Sequence, residues 1–465
     1  MIFETIKTEG LAHFSYFIGD QEAGLGAVID PRRDIDIYLN LAWQNQVRIS
    51  HILETHIHAD FVSGSRELAL ATGAEIGVSA AGEYLFEHHS LREGDLLELG
   101  SLQLKVIHTP GHTPEHVCYL LSGGTGAETP WGLFSGDTLF AGEVGRPDLL
   151  GENTEEQLAH RLYHSLFKKL LPLGDEIIIY PAHGEGSPCG SQIGDRQTST
   201  IGYERRYNPR LRARTEESFV AGVLDSLSPA PRYYSHVKQI NACGPRVIGR
   251  LPHIPALTPE AFQQELDQPN TTIIDTREIE AFGGAHIDGA LNIALREAFP
   301  IWAGWLLPPE ERLLLVMADE TDLDSIQRHL LRIDCKNLVG YLRQGMRGWI
   351  EAGRPFIQTD LLSVHELQEQ VNRQPDALQL LDVRSDEEWQ EGHIPTAQHR
   401  WLPALTENLA GLDPAKPTAV YCGSGYRSSM AASILQQKGF SRVYNIPGSM
   451  TAWKAAGYRL NNGTK

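Results

Sequence analysis

The chain has 465 residues, 41% of them hydrophobic, and a formal net charge of −19 at pH 7. That length exceeds a single hydrophobic core and predicts about three domains of roughly 150 residues each. The acidic balance favours solubility and excludes a general attraction to nucleic acid, so any anionic substrate must be received by local Arg or Lys side chains.

Neither membrane insertion nor secretion is predicted. No apolar run approaches the roughly 18 residues that a spanning helix needs, and the first ten or so residues lack a basic segment followed by an apolar one. The five cysteines are few, odd in number and widely spaced, which argues against a disulfide framework. We therefore expect a cytoplasmic protein with free thiols. The cysteines are Cys118, Cys189, Cys243, Cys335 and Cys422.

The first chemically informative segment is His56-Ile57-His58-Ala59-Asp60, which follows the apolar, β-favouring run from Ile49 to Leu53. Two imidazoles and a carboxylate packed together at the end of a predicted strand are typical of metal ligands. An H-x-H pair alone would be weak evidence. The prediction of a metal site therefore depends on further ligands at similar positions.

Three later strand ends supply such ligands, and a Pro-Gly turn precedes the first of them. The ligands and the predicted strands before them are His112 after Leu104–Ile107, Asp137 after Trp131–Phe134, and His183 after Ile177–Tyr180. Four strand ends thus carry four candidate ligand sets, which makes a metal site the favoured interpretation.

The order H-x-H-x-D, G-H, G-D and A-H-G resembles the metallo-β-lactamase superfamily over about the first 210 residues. The resemblance implies an αββα sandwich. In hydrolytic members such as glyoxalase II, a histidine stands at the position of Phe61 and helps to hold a second metal. Phenylalanine cannot ligate, so a second site would keep only Asp60, His183 and a shared Asp137. One metal is therefore expected.

The segment from His58 to Gly64 is similar to the form found in bacterial persulfide dioxygenases that are fused to sulfurtransferase domains. Those dioxygenases bind one iron, and the resemblance implies His56, His112 and Asp137 as its ligands, with His58 in or near the second shell. Two imidazoles and a carboxylate also suit non-haem Fe(II) and dioxygen. We expect one Fe(II) per chain, while the same ligands tolerate zinc or manganese. A zinc-held scaffold or an inactive site is the alternative.

Three further residues of this first domain are candidates for accessory roles. Cys189 lies six residues after His183, so its loop could bring the thiol near the metal pocket. The loop resembles that of the fused bacterial enzymes, which implies a cysteine that receives or relays sulfur, and an inert loop thiol is the alternative. Arg146 follows the Asp137 loop and is a candidate to orient the pocket or to bind a substrate carboxylate, although structural arginines are equally common. Tyr203 belongs to another segment that resembles the fused enzymes, and it is a candidate for substrate binding.

The second half of the chain contains an internal repeat with an offset of about 104 to 107 residues. The segment Thr272–Arg277 matches Leu380–Arg384, and Gly284–Ile287 matches Glu391–Ile394. Each copy alternates short apolar strands with helical stretches such as Ser428 to Lys438, which predicts a small α/β unit.

The motifs D-x-R, G-H-I-P-x-A, an apolar strand ending in cysteine, and P-G-x-x-x-W resemble the rhodanese family from about residue 255 onward. The resemblance implies a parallel sheet flanked by helices. In the second copy, Ala419–Tyr421 leads to Cys422, and a Gly-rich loop separates Cys422 from Arg427. Backbone N–H groups, a helix N-terminus and Arg427 would together stabilise a thiolate and then a persulfide. The loop is one residue shorter than related phosphatase loops, which favours sulfur over phosphate.

The first copy has Ala318 where we expect the nucleophile, followed by the acidic segment 319–322. It therefore cannot run the same chemistry, and we interpret it as a scaffold or docking unit. The predicted domains are 1–245 for the metal domain, 250–357 for the copy without a catalytic Cys, and 358–465 for the active copy.

These resemblances together imply iron-dependent oxidation of a thiol persulfide to sulfite, with sulfur transfer through Cys422 giving thiosulfate, as in sulfide detoxification. The partners would be O2, sulfite or thiosulfate, and a persulfide of glutathione, coenzyme A or a similar thiol. A homo-oligomer is compatible with the sequence. The main alternative is a zinc-dependent thioester hydrolase of the glyoxalase II type, fused to a sulfur-carrier rhodanese. A further alternative is a sensor or carrier without turnover, in which the metal domain is structural and Cys422 only holds sulfur.

Overall fold

The computed structural model describes residues 1–123, 129–151, 154–190, 193–374 and 377–461. They form two units, of which one comprises Met1–Leu251 with the short segment Leu331–Asp334, and the other comprises Pro252–Leu330 and the chain from Cys335 on. Among the described residues, no helix combines the length and the apolar character needed to cross a bilayer.

The first unit contains two six-stranded sheets. Its strands are β1 Ile2–Thr8, β2 His13–Asp20, β3 Leu25–Ile29, β4 Arg48–Leu53, β5 Glu75–Ser79, β6 His89–Leu91, β7 Leu96–Leu99, β8 Leu102–His108, β9 Val117–Gly123, β10 Gly132–Gly136, β11 Ile178–Pro181 and β12 Ser199–Thr200. In the first sheet the spatial order follows the sequence, with antiparallel pairing from β1 to β3 and parallel pairing from β3 to β6. The second sheet has the order β12-β11-β10-β9-β8-β7 and is antiparallel except between β10 and β11.

Helices cover the outer face of each sheet. They are α1 Asp36–Gln44, α2 Ser65–Thr72, α3 Glu155–His164, α4 Ile201–Tyr207, α5 Glu216–Leu224 and α6 Tyr233–Cys243, with a π-helical turn at Ser165–Leu170 and 3-10 turns at Leu171–Leu173 and Arg210–Arg212. One apolar cluster joins α1 and α2 to the first sheet, and another joins α3 and α5 to the second.

Apolar side chains point alternately to the two faces of the strands, which explains why the two sheets pack face to face. Tyr16 and Ile18 of β2 point into a cluster shared with Leu104 of β8 and Tyr119 of β9, whereas Phe17 points into the cluster that contains Tyr38 of α1. Successive strand residues face opposite sides, so each sheet buries one face against the other sheet and one against helices. This confirms the predicted αββα sandwich.

The second unit contains two five-stranded sheets, each from one copy of the repeat. The strands are β13 Ala256–Leu257, β14 Thr271–Asp275, β15 Leu291–Asn292, β16 Arg312–Val316 and β17 Leu338–Leu342 in the first copy, and β18 Asp360–Leu361, β19 Gln379–Asp382, β20 Gln398–His399, β21 Thr418–Tyr421 and β22 Val443–Asn445 in the second. The orders β13-β17-β16-β14-β15 and β18-β22-β21-β19-β20 are equivalent, and every pair is parallel.

Helices connect these parallel strands, as crossover geometry requires. They are α7 Pro259–Leu266, α8 Ile279–Gly284, α9 Phe299–Leu306, α10 Leu323–Arg332, α11 Gly345–Glu351, α12 Val364–Arg373, α13 Asp386–Glu391, α14 Tyr426–Gln437 and α15 Ser449–Ala455, with 3-10 turns at Glu320–Asp322 and Leu402–Thr406. Trp349 and Trp453, matched in the repeat, are each fully buried in the core of their own copy. The internal repeat and the parallel α/β fold of each copy are thereby confirmed.

The strand register corrects one detail of the repeat. Val316 pairs with Asp275 in the first copy, and Tyr421 pairs with Asp382 in the second. Since Asp275 and Asp382 are equivalent, the residue that follows Val316 is the counterpart of Cys422. That residue is the buried Met317, not Ala318 as the motif spacing predicted, because the loops after the two strands differ in length.

Candidate functional site

The ends of three strands bring three candidate ligand side chains together in the first unit. His56 follows β4, His112 follows β8 and Asp137 follows β10, and one ligand atom from each lies within 4.8 Å of the others. All three side chains are buried. The strand-end placement that the sequence predicted is therefore present, and the three side chains come from both sheets of the sandwich.

The atoms that face one another in this group are suited to a cation. Oδ2 of Asp137 lies 3.4 Å from Nε2 of His112 and 3.8 Å from Nε2 of His56. In the described part of the chain, Nε2 of His56 and Oδ2 of Asp137 are buried without hydrogen-bond partners. Buried polar atoms are ordinarily paired, so these two oriented acceptors fit a metal ion as their missing partner.

The opposite nitrogen of each imidazole is held by the protein. Nδ1 of His112 donates to the carbonyl oxygen of Arg146 at 2.8 Å. Nδ1 of His56 lies 2.9 Å from Oγ1 of Thr55, which itself donates to Asp30 at 2.9 Å, so the histidine nitrogen is the donor. Such contacts fix the tautomer and leave each Nε2 lone pair available for the metal.

Burial controls the protonation of these ligands. It holds the pKa of His56 well below the ordinary value, and it also lowers the pKa of His112. Burial by itself would raise the pKa of Asp137, but His183 and the other imidazoles outweigh it and hold that pKa far below its usual range. The group thus offers neutral imidazoles and an ionised carboxylate, the forms that ligate metals.

His58 lies next to this group but turns toward different partners. Its Nε2 is 3.0 Å from Oδ1 of Asp30 and 3.3 Å from Oε2 of Glu54. The hydroxyl groups of Ser63 and Ser65 donate to Oε1 of the same glutamate. The ring of His58 therefore reaches from the metal pocket to two buried carboxylates.

A second buried group contains Asp60, His183 and Cys189, again with one ligand atom of each within 4.8 Å of the others. His183 spans two carboxylates, with Nε2 at 2.7 Å from Asp60 and Nδ1 at 2.7 Å from Asp137. Burial opposes its charged form, but the two carboxylates outweigh burial and raise the pKa of His183 to about 10. Phe61 packs nearby, with ring centroids 4.0 Å from His13 and 4.5 Å from His58.

Cys189 lies beside the metal pocket, in the loop that follows His183. Its Sγ is 3.8 Å from the hydroxyl group of Tyr234, and only 1% of the residue is exposed. Burial, with Asp60 and Asp137 adding to it, raises the pKa of Cys189 well above the ordinary thiol value. These surroundings therefore favour the neutral thiol.

The two other accessory candidates are engaged elsewhere. The guanidinium group of Arg146 makes a bidentate pair with Asp148 at 2.7 Å and donates to the carbonyl oxygens of Pro188 and Ser228, so it ties loops together. Tyr203 is 43% exposed, and its ring contacts are with Arg196 and Tyr207. Neither side chain shares a contact with the metal ligands in the described residues, although the Arg146 carbonyl orients His112.

In the second unit, the loop after β21 surrounds the thiol of Cys422. The Sγ of Cys422 accepts hydrogen bonds from the N–H of Gly425 at 3.2 Å and from the hydroxyl group of Ser428 at 3.6 Å. The backbone N–H of Cys422 donates to the hydroxyl group of Ser449 at 3.1 Å. Gly425 has φ +108°, where a side chain would be strained. Burial raises the pKa of Cys422, but Arg427 and these donors outweigh it, and the net shift is downward.

Arg427 is held in place by a carboxylate. Its two terminal nitrogens pair with Glu388 of α13 at 2.6 and 2.8 Å. The guanidinium group therefore acts on Cys422 through its charge while its hydrogen bonds go to Glu388. The sequence predicted Arg427 near the thiol but gave no indication of Glu388 as its partner.

Comparison with known proteins gives the family of each domain. The model of the metallo-beta-lactamase superfamily matches residues 9–183, and the rhodanese-like domain matches 258–352 and 363–456. The persulfide dioxygenase ETHE1 of Bos taurus is 31% identical over 239 residues, which are 50% of this chain and 84% of that protein. The chain belongs to the ETHE1-like persulfide dioxygenase family. It joins a metallo-β-lactamase domain of that family to two rhodanese-like domains, which confirms the predicted architecture.

Two other comparisons extend this assignment. A metallo-β-lactamase structure from Staphylococcus aureus subsp. aureus COL is 33% identical, with a TM-score of 0.67, and covers 74% of this chain and 99% of that one. A hydroxyacylglutathione hydrolase of Francisella tularensis subsp. novicida is 32% identical over 174 residues, which are 37% of this chain and 63% of that protein. Hydrolases are thus also relatives of the metal domain of this family member.

The two rhodanese-like copies meet at helix α14, which begins four residues after Cys422. Asn292 of the first copy donates from Nδ2 to the carbonyl oxygens of Asp275 and Arg277, both at 3.0 Å, and its Oδ1 accepts from Ser429 at 2.6 Å. Its N–H donates to Ser433 at 3.2 Å. The first copy therefore stabilises helix α14 of the second copy, which directly follows the Cys422 loop.

Several residues of the metal pocket were missed by sequence reasoning. His116 accepts the N–H of Asp137 at 2.9 Å, and Asn241 of α6 donates to the carbonyl oxygens of His58 and Phe61 at 2.8 Å. Asp30 and Glu54 each follow a buried strand, which is a signal that could have found them. Asn241 lies far along the chain in an ordinary amphipathic helix, where no such signal exists.

Proposed function

We propose that the metal domain oxidises a low-molecular-weight thiol persulfide with O2, and that Cys422 transfers sulfur to the sulfite that forms. In the first reaction, a persulfide RSSH, O2 and water give the thiol RSH, sulfite and two protons. In the second, a further persulfide and sulfite give RSH and thiosulfate. Both oxygen atoms of O2 end on sulfur, and water supplies the third oxygen of sulfite. The carrier thiol is regenerated in each reaction.

The observation that carries the first reaction is the buried group of His56, His112 and Asp137, together with phenylalanine at position 61. Two imidazoles and one carboxylate are the ligand set of non-haem Fe(II) enzymes that use dioxygen. Fe(II) held by these three residues would supply the redox chemistry that dioxygen requires. The persulfide dioxygenase relatives support a reaction with dioxygen in this domain.

The surrounding residues would exclude water and fix charge. The carbonyl of Arg146 and the hydroxyl of Thr55 keep the two imidazoles in the tautomer that presents Nε2. The bridge from His183 to Asp137 and Asp60 holds a proton beside the pocket. Phe61 keeps an apolar wall there, which suits a soft sulfur substrate better than the polar wall of a site that activates water.

The second reaction follows from the Cys422 loop. The thiolate attacks the sulfane sulfur of a persulfide, forms a new S–S bond and releases the carrier thiol, which takes up a proton. The sulfur lone pair of sulfite then attacks the terminal sulfur and releases the Cys422 thiolate, giving thiosulfate. The charge of Arg427 and the N–H of Gly425 stabilise the thiolate at both stages.

This chemistry would remove sulfane sulfur as water-soluble oxyanions, which is the task of sulfide detoxification in the cytoplasm. Glutathione, coenzyme A or a similar small thiol would be the carrier. A homo-oligomer is compatible with the proposal, which requires only one chain for each reaction.

The direct test is oxygen uptake by Fe(II)-reconstituted protein given glutathione persulfide, with sulfite and thiosulfate quantified and a zinc-loaded sample as control. Iron-dependent uptake with oxyanion formation supports the proposal. Absence of uptake with the persulfides of glutathione and of coenzyme A refutes it.

Two variants test whether the sites act separately. Cys422→Ser should abolish sulfur transfer and spare oxygen uptake, whereas His112→Ala should abolish uptake and spare transfer. Cys243→Ser, which removes an exposed thiol, is the matched control for the first variant. Loss of both activities in either variant contradicts separable sites.

We also propose that Cys189 relays sulfur, because its thiol lies within reach of the Asp60 and His183 side chains at the pocket. Cys189→Ser should then reduce turnover and remove a persulfide label from this position. Unchanged turnover and labelling, with Cys243→Ser as the reference, would show that the thiol is inert.

Thioester hydrolysis is the second candidate function, since hydroxyacylglutathione hydrolases are relatives of the same domain. Such an enzyme would hydrolyse S-lactoylglutathione when loaded with zinc and would show no iron-dependent oxygen uptake. Position 61 argues against it, because a phenyl ring cannot help to hold a second metal.

A further inference from the structure

One face of helix α6 lies against the metal pocket. Tyr234, Lys238 and Asn241 are spaced by four and three residues, so their side chains share that face. Tyr234 contacts the thiol of Cys189 at 3.8 Å, and Asn241 donates to the backbone of the segment that carries His58. Lys238 stands between two residues that both contact the pocket, and its side chain therefore projects toward it.

The ammonium group of Lys238 has no partner at this position. Its Nζ is buried and makes no hydrogen bond within the part of the chain that the structure describes. Burial lowers the pKa of Lys238, while Glu115 opposes that shift. Oε1 of Glu115 accepts the N–H of Ile57, between the two pocket histidines of that segment, and does not pair with the lysine.

A second donor without a partner borders Glu115, the carboxylate that also acts on Lys238. The hydroxyl group of Tyr84 is buried and has no hydrogen-bond partner among the described residues. A Cβ placed on Gly82 would touch both the Tyr84 ring, at 2.3 Å, and Cγ of Glu115, at 3.2 Å, so the phenol and this carboxylate flank the same point. An ammonium and a phenol that both lack acceptors beside one metal site form a place for an anion.

We propose that Lys238 and Tyr84 form an anion-binding subsite beside the metal ligands, which holds a negative charge of the thiol persulfide. This inference rests on the proposed dioxygenase function for the identity of its substrate. The charge has two sources, since a carboxylate of the carrier and the terminal sulfur of the persulfide are both anionic. A contact with the carboxylate would set a preference for anionic carrier thiols, whereas a contact with the terminal sulfur would serve every persulfide alike.

The binding experiment titrates glutathione, which is not turned over, into the zinc-loaded full chain by calorimetry under argon. Lys238→Met should weaken binding about 10- to 100-fold, the effect of losing a charged hydrogen bond in a buried site. Lys238→Arg should recover most of the affinity, and Lys105→Met, which removes an exposed charge from β8, should match the wild type. Tyr84→Phe removes only a hydroxyl and should weaken binding several-fold, so the test does not depend on the folding of one variant.

The kinetic experiment separates the two sources of charge. Oxygen uptake is measured with glutathione persulfide and with the persulfide of 2-mercaptoethanol, which has no carboxylate. If Lys238 holds the carrier, Lys238→Met raises KM for glutathione persulfide alone and leaves kcat unchanged. If it holds the terminal sulfur, KM rises for both substrates.

The outcomes distinguish this subsite from the proposed function. Glutathione binding that depends on Lys238 in a protein without oxygen uptake retains the subsite and removes the dioxygenase. Equal affinity and equal KM in the wild type, Lys238→Met and Tyr84→Phe overturn the subsite, whatever the oxygen uptake shows.

Discussion

Replacing Asn292 by alanine should destabilise the second unit, because this side chain makes three buried hydrogen bonds. Two go from Nδ2 to carbonyl oxygens of its own copy, and the third is accepted from Ser429 of the other copy at 2.6 Å. Only 1% of Asn292 is exposed, so water cannot replace the lost partners. Each buried bond contributes about 0.5–1.5 kcal/mol, and the expected loss in the free energy of unfolding is about 2–4 kcal/mol.

Urea unfolding followed by tryptophan fluorescence measures this loss, since six of the eight tryptophans lie in this unit. Asn337→Ala is the matched control, because the side chain of Asn337 makes a single exposed hydrogen bond to the Glu310 carbonyl. That control should change the free energy of unfolding by less than about 1 kcal/mol. Asn292→Asp keeps the acceptor for Ser429 but faces two carbonyl oxygens with a carboxylate, so it should be no more stable than the alanine variant.

The same substitution should slow alkylation of Cys422 by iodoacetamide at neutral pH. Helix α14 carries Gly425 at its N-terminus, and the Gly425 N–H stabilises the thiolate. A loosened helix weakens that donation. A loss below about 0.5 kcal/mol in unfolding, with unchanged alkylation, would refute the view that the first copy holds the reactive loop.

Three further predictions follow from the two sites. Arg427→Gln should move the pH midpoint of Cys422 alkylation upward, since the guanidinium charge holds the thiol pKa below its ordinary value; a constant midpoint contradicts that cause. Gly145→Ala should weaken metal binding about tenfold or more, because its Cβ would lie 1.9 Å from the carbonyl oxygen of Asp137; metal analysis measures this against Gly222→Ala, where the Cβ meets nothing within 4 Å. Met317→Cys should give no sulfurtransferase activity in a Cys422→Ser background, as its loop is acidic, and a clear gain in a thiosulfate assay would overturn the scaffold role.

The grouping of the candidate metal ligands and the placement of Cys422 could be predicted because each residue follows an apolar strand within a few residues, and strand ends gather at one edge of a sheet. The bounds of these elements are close to the predicted ones. Strand β4 spans Arg48–Leu53, where Ile49–Leu53 was predicted, and helix α14 spans Tyr426–Gln437, where a helix from Ser428 to Lys438 was predicted. The local pattern of apolar and turn residues was sufficient for these elements.

The remaining parts depend on contacts between distant segments. Lys238 and Asn241 reach the pocket only because α6 packs over it. A helical sequence pattern predicts the helix but not the part of the protein against which it packs. Glu388 and Arg427 are far apart in the sequence and meet only because the second copy folds. The position of Met317 required the strand register, since motif spacing across loops of different length was wrong by one residue.

The way in which the pocket histidines are held bears on how the protein acquires its metal. Because the carbonyl of Arg146 and the hydroxyl of Thr55 hold the two rings through contacts within the protein, metal binding would require little rearrangement of the chain. The ligands are buried, so an ion that enters leaves slowly. Several divalent metals suit such ligands, and copper, nickel and zinc bind nitrogen and oxygen donors more tightly than iron does. The metal content of purified protein should therefore follow the supply of metals during its synthesis, and a test of the proposed dioxygenase should supply iron as the chain folds.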